Sequence, residues 1–175
     1  MADGPFDPET GELIPRPPEK RDLVNLCREL RARDCLFMII GGFAIIQSGL
    51  PRTTGDLDIL VDSSLANEAR VFDALATLPD RCVRQLESGD VAKFTVVRVA
   101  DEIVVDLMAS ASGFDYAAAA ESMVIHRIDG VEIPFASPEL LYRMKKRAGR
   151  EKDRGDIYFL EQLFAAQGKE PPTAK

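Results

Sequence analysis

The sequence has a single histidine, His126, and only three cysteines, Cys27, Cys35 and Cys82, an odd number with no metal-ligand spacing among them. A zinc site or Ser-His-Asp chemistry is therefore poorly supplied, and structural roles are expected for these four residues. Reduced thiols in an intracellular setting follow from the same scarcity. No stretch approaches 18 consecutive apolar residues and no basic-then-apolar leader opens the chain. Neither a membrane span nor a secretory signal is expected, which places the protein in the cytoplasm. Positive charge is also short: the net charge of −7 argues against tight, non-specific nucleic-acid binding by the whole surface, while a local basic patch near the C-terminus stays available to phosphates. No internal repeat is present.

What the chain does have is the composition of an ordinary soluble globule, 46% hydrophobic and 29% charged. At 175 residues it fits one domain, able to bury roughly two thirds of its unfolded surface. Residues 1–18 carry five prolines and little periodicity and read as a flexible arm. A core is expected over 19–136, with C-terminal helices of the same domain over 137–167 and a flexible tail over 168–175.

Apolar residues at helical spacing predict a helix through about Arg33, followed by a short buried strand over 37–40 and a helix over 42–47 that Gly49-Leu50-Pro51 ends. Ser63 reads as the N-cap of a helix over 64–78, with Leu65, Ala69, Phe72 and Leu75 facing inward. Strands are expected over 82–86, 92–99 and 102–108, the last two joined at Ala100-Asp101, and a helix over 114–121. Asp129-Gly130 is a strong hairpin turn between strands over 123–128 and 131–135. Ser137-Pro138 pairs an N-cap with proline at the first helical position and starts a helix. Arg143, Arg147, Arg150 and Arg154 would share one face of that helix if it ran on uninterrupted, and Gly149 stands in its way.

Three acids depart from a purely structural pattern. In Asp56-Leu57-Asp58-Ile59 two carboxylates alternate with aliphatics, so on a strand both acids share one face, about 6.6 Å apart along the backbone. Asp106 sits alone in the apolar run Ile103-Val104-Val105-Asp106-Leu107-Met108. Two unit charges about 4 Å apart repel by roughly 4 kcal/mol at an effective dielectric near 20. Hard oxygen donors in such a group suit Mg²⁺ held together with substrate phosphates. Upstream, Gly41-Gly42 lies between the apolar run and a helical pattern, where glycine permits close approach of backbone N–H groups to phosphate.

Ile40, Gly41-Gly42, Asp56-Leu57-Asp58-Ile59 and Asp106 together resemble the nucleotidyltransferase superfamily with the DNA polymerase β-like fold. The fuller string, from Gly41-Gly42-Phe43-Ala44 through Gly49, Arg52, Thr54 and Asp56-Leu57-Asp58 to Lys145, Ala148, Arg150, Lys152-Asp153 and Asp156, resembles the branch containing AbiEii-type toxins. The resemblance covers about 37–163. It departs from many superfamily members at Gly42, where they place serine.

The fold this implies is α/β (α+β): a mixed β-sheet with flanking helices and a C-terminal helical segment. The implied reaction is Mg²⁺-dependent transfer of a nucleoside monophosphate from an NTP to an acceptor hydroxyl. Asp56, Asp58 and Asp106 would be the catalytic acids and the ligands of two Mg²⁺ ions. Gly41, Gly42, Arg52, Thr54, Lys145, Arg150 and Asp153 would bind the nucleotide, with Lys145 and Lys146 both open as the phosphate ligand. RNA such as tRNA, a protein hydroxyl or a small molecule are the implied acceptors, and an antitoxin protein the implied partner of a toxin or phage-defence role. A non-catalytic nucleotide-binding or interaction module that keeps the fold is the opposing reading.

Overall fold

A computed structural model of the chain describes residues 7–11 and 14–174. The elements run α1 (Lys20–Ala32), β1 (Phe37–Ile39), α2 (Gly41–Gln47), β2 (Leu57–Val61), α3 (Leu65–Leu75), a 3-10 turn (Cys82–Gln85), α4 (Asp90–Lys93), β3 (Val97–Ala100) and β4 (Val104–Met108). The small hairpin β5 (Ser110–Ala111) and β6 (Phe114–Asp115) follows, then α5 (Tyr116–Ala120), β7 (Met123–Ile128), β8 (Val131–Ala136), α6 (Pro138–Ala148), a second 3-10 turn (Glu151–Asp153) and α7 (Arg154–Ala166).

Six strands form one mixed sheet in the order β3-β4-β2-β1-β8-β7. β1 runs antiparallel to β2, while β2 and β4 are parallel and in register, so Asp58 stands directly beside Asp106. Phe37, Ile39, Leu57, Ile59, Val105 and Leu107 are fully buried in this sheet, and α1 packs against β8 and α3. On the cleft side α2 packs on β2 and α6, and α6 on α7. No helix among the described residues is long and apolar enough to cross a membrane.

Local chemistry explains the helix and turn boundaries. Ser137 Oγ accepts the Leu140 N–H, Pro138 needs no partner at the first turn, and Gly149, at φ 61°, ends α6 in the left-handed region. Asp129 and Gly130 both take positive φ, as the two-residue hairpin turn requires. Cys27 and Cys35 are buried free thiols, and His126 packs edge-on against Phe135.

Several expected elements come out differently. In place of the strand expected over 82–86, Cys82–Gln85 form a 3-10 turn, because the buried Asp101 carboxylate accepts the N–H groups of Asp80 (3.0 Å) and Cys82 (2.9 Å) and bends the entry. The strand expected over 92–99 begins only at Val97; the buried Glu68 carboxylate takes the N–H groups of Gly89 (2.6 Å) and Val91 (3.0 Å), which sets the short α4 in place of its first half. Residues 114–115 belong to the small hairpin, and the helix expected over 114–121 is confined to α5.

In α3 the N-cap is Ser64 rather than Ser63, and the inward face carries Asn67, Glu68, Val71, Ala74 and Leu75. Leu65 is 60% exposed, and Ala69 is exposed as well. The displaced face has a polar cause: Asn67 bonds the backbone of Leu36 and Asp62, and Glu68 ties down the later loop, so two buried polar anchors outweigh the apolar stripe.

The arm expected over 1–18 falls partly outside the described residues. Its described end is tied to the body: Arg16 pairs with Asp22 (2.8 Å) and Glu102 (3.2 Å), and its backbone bridges to Ile103.

Candidate active site

The ten residues singled out from the sequence as catalytic, metal-holding or nucleotide-binding all line one cleft of about 990 Å³. β2 and β4 form its floor, the start of α2 and the loop Arg52–Asp56 one wall, and α6 with the following turn the other. Asp56, Asp58 and Asp106 each offer an oxygen within 4.8 Å of the others, with Asp106 buried and the other two half-buried. Strand alternation accounts for this: Leu57 and Ile59 turn into the core, and the parallel register puts Asp106 on the same face as Asp58.

The glycine pair serves this packing directly. Gly41 lies at φ 64°, and a Cβ there would overlap the Asp58 carboxylate; a Cβ on Gly42 would overlap the Thr54 hydroxyl. The Gly42 N–H donates to Asp58. Burial, followed by the charges of Asp56 and Asp106, pushes the Asp58 carboxyl up from 3.8 to about 6, with the Gly42 N–H and Lys145 pulling it the other way. Thr54 in turn donates to the Asp56 carbonyl at 3.2 Å, fixing the loop that presents the first acid.

The opposite wall is a chain of alternating charges. Lys145, 7% exposed, lies 2.8 Å from Asp153 and 2.9 Å from Asp156. Arg150 completes Asp153 at 2.6 Å, and Arg52 reaches Asp156 at 3.1 Å. Burial works against ionisation of Asp153, yet Arg150 and Lys145 hold its carboxyl below the ordinary value. Lys146 is exposed and lies over the Tyr142 ring, so of the two neighbouring lysines only Lys145 faces the cleft.

The arginine stripe does not form. Gly149 ends α6, Arg150 turns to Asp153, Arg154 pairs with Glu151, and Arg147 stacks over Phe114 with its centre 4.3 Å from the ring centroid.

Arg98 is the residue that sequence reasoning missed. It donates through Nε to Asp106 (2.8 Å) and through Nη2 to both Asp106 (2.7 Å) and Asp56 (3.2 Å). Hydrogen bonding to Asp106 keeps its guanidinium firmly protonated. The signal lay in the β3–β4 hairpin register. A turn at Ala100-Asp101 would set Thr95 opposite Asp106, whereas the observed three-residue loop pairs Ala100 with Val104 and therefore Arg98 with Asp106. Asp101 causes the longer loop by turning its side chain inward to three backbone N–H groups.

The acid trio fits a divalent cation. It presents only hard oxygen donors, and the drawn-in Arg98 guanidinium shows that the folded trio takes up positive charge. The cleft is lined by five acids and five basic residues, Arg52, Arg98, Lys145, Arg150 and Lys152, so anionic phosphate and metal cations arriving together leave its charge nearly balanced.

A family model described as "Nucleotidyl transferase of unknown function (DUF2204)" matches residues 19–169. Two solved structures share the fold. A candidate nucleotidyltransferase from Thermotoga maritima is 16% identical with a TM-score of 0.54, over 91% of this chain and 98% of that one. An antigenic nucleotidyltransferase-like protein from Paracoccidioides brasiliensis is 19% identical with a TM-score of 0.52, over 85% and 78%. No curated protein matches the sequence.

Proposed function

Because this chain belongs to that nucleotidyl transferase family, we propose that it moves a nucleoside monophosphate from an NTP to an acceptor hydroxyl in the cleft between β2, β4 and α6. The observation that carries the proposal is the convergence of Asp56, Asp58 and Asp106 on one point opposite a buried Lys145. Asp56, Asp58 and Asp106 would hold two Mg²⁺ ions, which when bound stabilise the attacking and leaving oxygens of an in-line displacement. Lys145 and Arg150 from the other wall, and Arg52 reaching across from the first, meet the phosphates, kept in fixed geometry by Asp153 and Asp156. The acceptor oxygen attacks the α-phosphorus, the bond to pyrophosphate breaks, and a carboxylate oxygen of Asp106 receives the acceptor's proton.

The finer reading as an AbiEii-like toxin with an antitoxin partner and an RNA, protein or small-molecule acceptor rests on the residue string from Gly41 to Asp156. Growth arrest on expression, relieved by Asp58→Ala, is its expected signature.

One observation favours the opposing, non-catalytic reading: Arg98 already satisfies Asp106 and Asp56 without an ion. Incubating the protein with each α-phosphate-labelled NTP, Mg²⁺ and total cellular RNA and protein separates the two. Label entering a macromolecular fraction with the native chain and lost with Asp58→Asn is the expected result; NTP binding with no transfer to RNA, to protein or, in a parallel incubation, to the small molecules of a cell extract would establish the non-catalytic module.

A further inference from the structure

We infer that Arg98 is a built-in counter-cation that occupies the third acid of the trio and must swing away before a divalent ion engages Asp106. This rests on the metal-dependent transfer reading above and deepens it. The antiparallel register places Arg98 directly across from Asp106. Its guanidinium engages both Asp106 oxygens, at 2.8 and 2.7 Å, and reaches Asp56 at 3.2 Å. It makes no hydrogen bond to Asp58, which is instead held by the Gly42 N–H.

The trio is thus divided. Asp58 and one side of Asp56 are open to a first cation while Asp106 is capped. A guanidinium held on both Asp106 oxygens and a divalent ion on the same trio, whose oxygens lie within 4.8 Å of one another, repel each other strongly, so loading at Asp106 is a displacement rather than a simple binding step.

The exposures fit a displaceable group. The Asp106 side chain is 7% exposed and that of Arg98 is 59% exposed, so the guanidinium covers a buried acid from the solvent side. Val97 and Val99, on the opposite face of β3, are buried and keep the strand in place while the side chain between them swings. Once released, the guanidinium stays at the rim of the same cleft, where it meets an anionic group of an incoming substrate. Arg98 is accordingly a positioning residue that makes occupancy of the acceptor-side acid depend on a competitor for its charge.

The test is titration of the full chain with Mn²⁺ in the absence of nucleotide, free Mn²⁺ being read by electron paramagnetic resonance. Arg98→Ala is expected to lower the Kd for Mn²⁺ by on the order of tenfold or more. Arg98→Lys, which keeps the charge but loses the two-pronged grip, should give a smaller gain. Arg150→Ala removes a cleft cation that does not touch the trio, and should change the Kd by less than about twofold at ordinary salt.

The second readout is thermal unfolding. Arg98→Ala should melt lower than the native chain in chelator and recover with Mn²⁺, a rescue that a purely structural arginine would not give. Should Arg98→Ala fail to fold, Arg98→Gln, which keeps most of the stem, carries the same comparison. Equal Mn²⁺ affinity in native and Arg98 variants, with Asp58→Asn abolishing it, would overturn the displacement while leaving the transferase reading intact. An absence of Mn²⁺ binding in every variant would overturn the displacement, and its absence also with NTP present would overturn the transferase reading.

Discussion

Asp58 sits between opposing demands: its strand buries it beside two other acids, and its carboxyl titrates near 6 rather than near 4. A native state that holds its proton more tightly than the unfolded chain loses stability as pH rises through that window, by on the order of 3 kcal/mol from this group. Denaturant unfolding of the native chain and Asp58→Asn in chelator should therefore diverge between pH 4 and 7, with the variant gaining relative stability as pH rises. Curves that stay parallel would show that Asp58 is not strained. Gly41→Ala is the complementary test. Its Cβ has no space beside the Asp58 carboxylate and the position holds φ 64°, which alanine adopts only under strain, so loss of transfer activity is expected together with about 1 kcal/mol or more of stability.

α6 and the turn after it behave as one unit because Lys145 on the helix and Asp153 and Asp156 beyond it are buried together. Asp153→Asn leaves the buried lysine with one partner and Arg150 with none, which should cost about 3 kcal/mol in a urea titration. Gly149→Ala offers a milder contrast: a Cβ there meets nothing within 4 Å, so the expected loss of about 1 kcal/mol is backbone strain alone. Equal losses in both variants would contradict the buried network. α3 shows the same logic from the other side. Its apolar stripe predicts one inward face, and the backbone groups awaiting Asn67 and Glu68 select another.

For the whole molecule, ten residues spread from Gly41 to Asp153 line a single cleft, and ligand there should couple to global stability. NTP and Mg²⁺ together are expected to raise the melting temperature more than the sum of either alone, because each supplies the charge the other needs. At a ligand concentration of 100 times Kd the gain is about 2.7 kcal/mol. Purely additive shifts would argue against a shared site. With Gly149 ending α6 and Arg147, Arg150 and Arg154 each drawn into a separate contact, the four arginines do not form the single face that an RNA acceptor would track, which directs the search for acceptor contacts to the cleft rim.

Alternation along 56–59, the lone acid at 106, the Gly41-Gly42 pair and the Ser137-Pro138 start are local patterns, and each acts over a few residues through strand pleat, backbone freedom or capping. For that reason the acid trio and the start of α6 could be read from the amino acids alone, and the mixed fold from the family resemblance that those residues carry. Which of Lys145 and Lys146 faces the cleft, the inward face of α3 and the place of Arg98 depended on partners distant in the chain. Asp153 and Asp156 bury one lysine, Leu36 anchors Asn67, and Asp101 shifts a hairpin register through backbone groups some twenty residues away. Only tertiary structure decides such contacts, because a buried charge or polar group takes its position from whichever partner satisfies it, and no periodicity records where that partner lies.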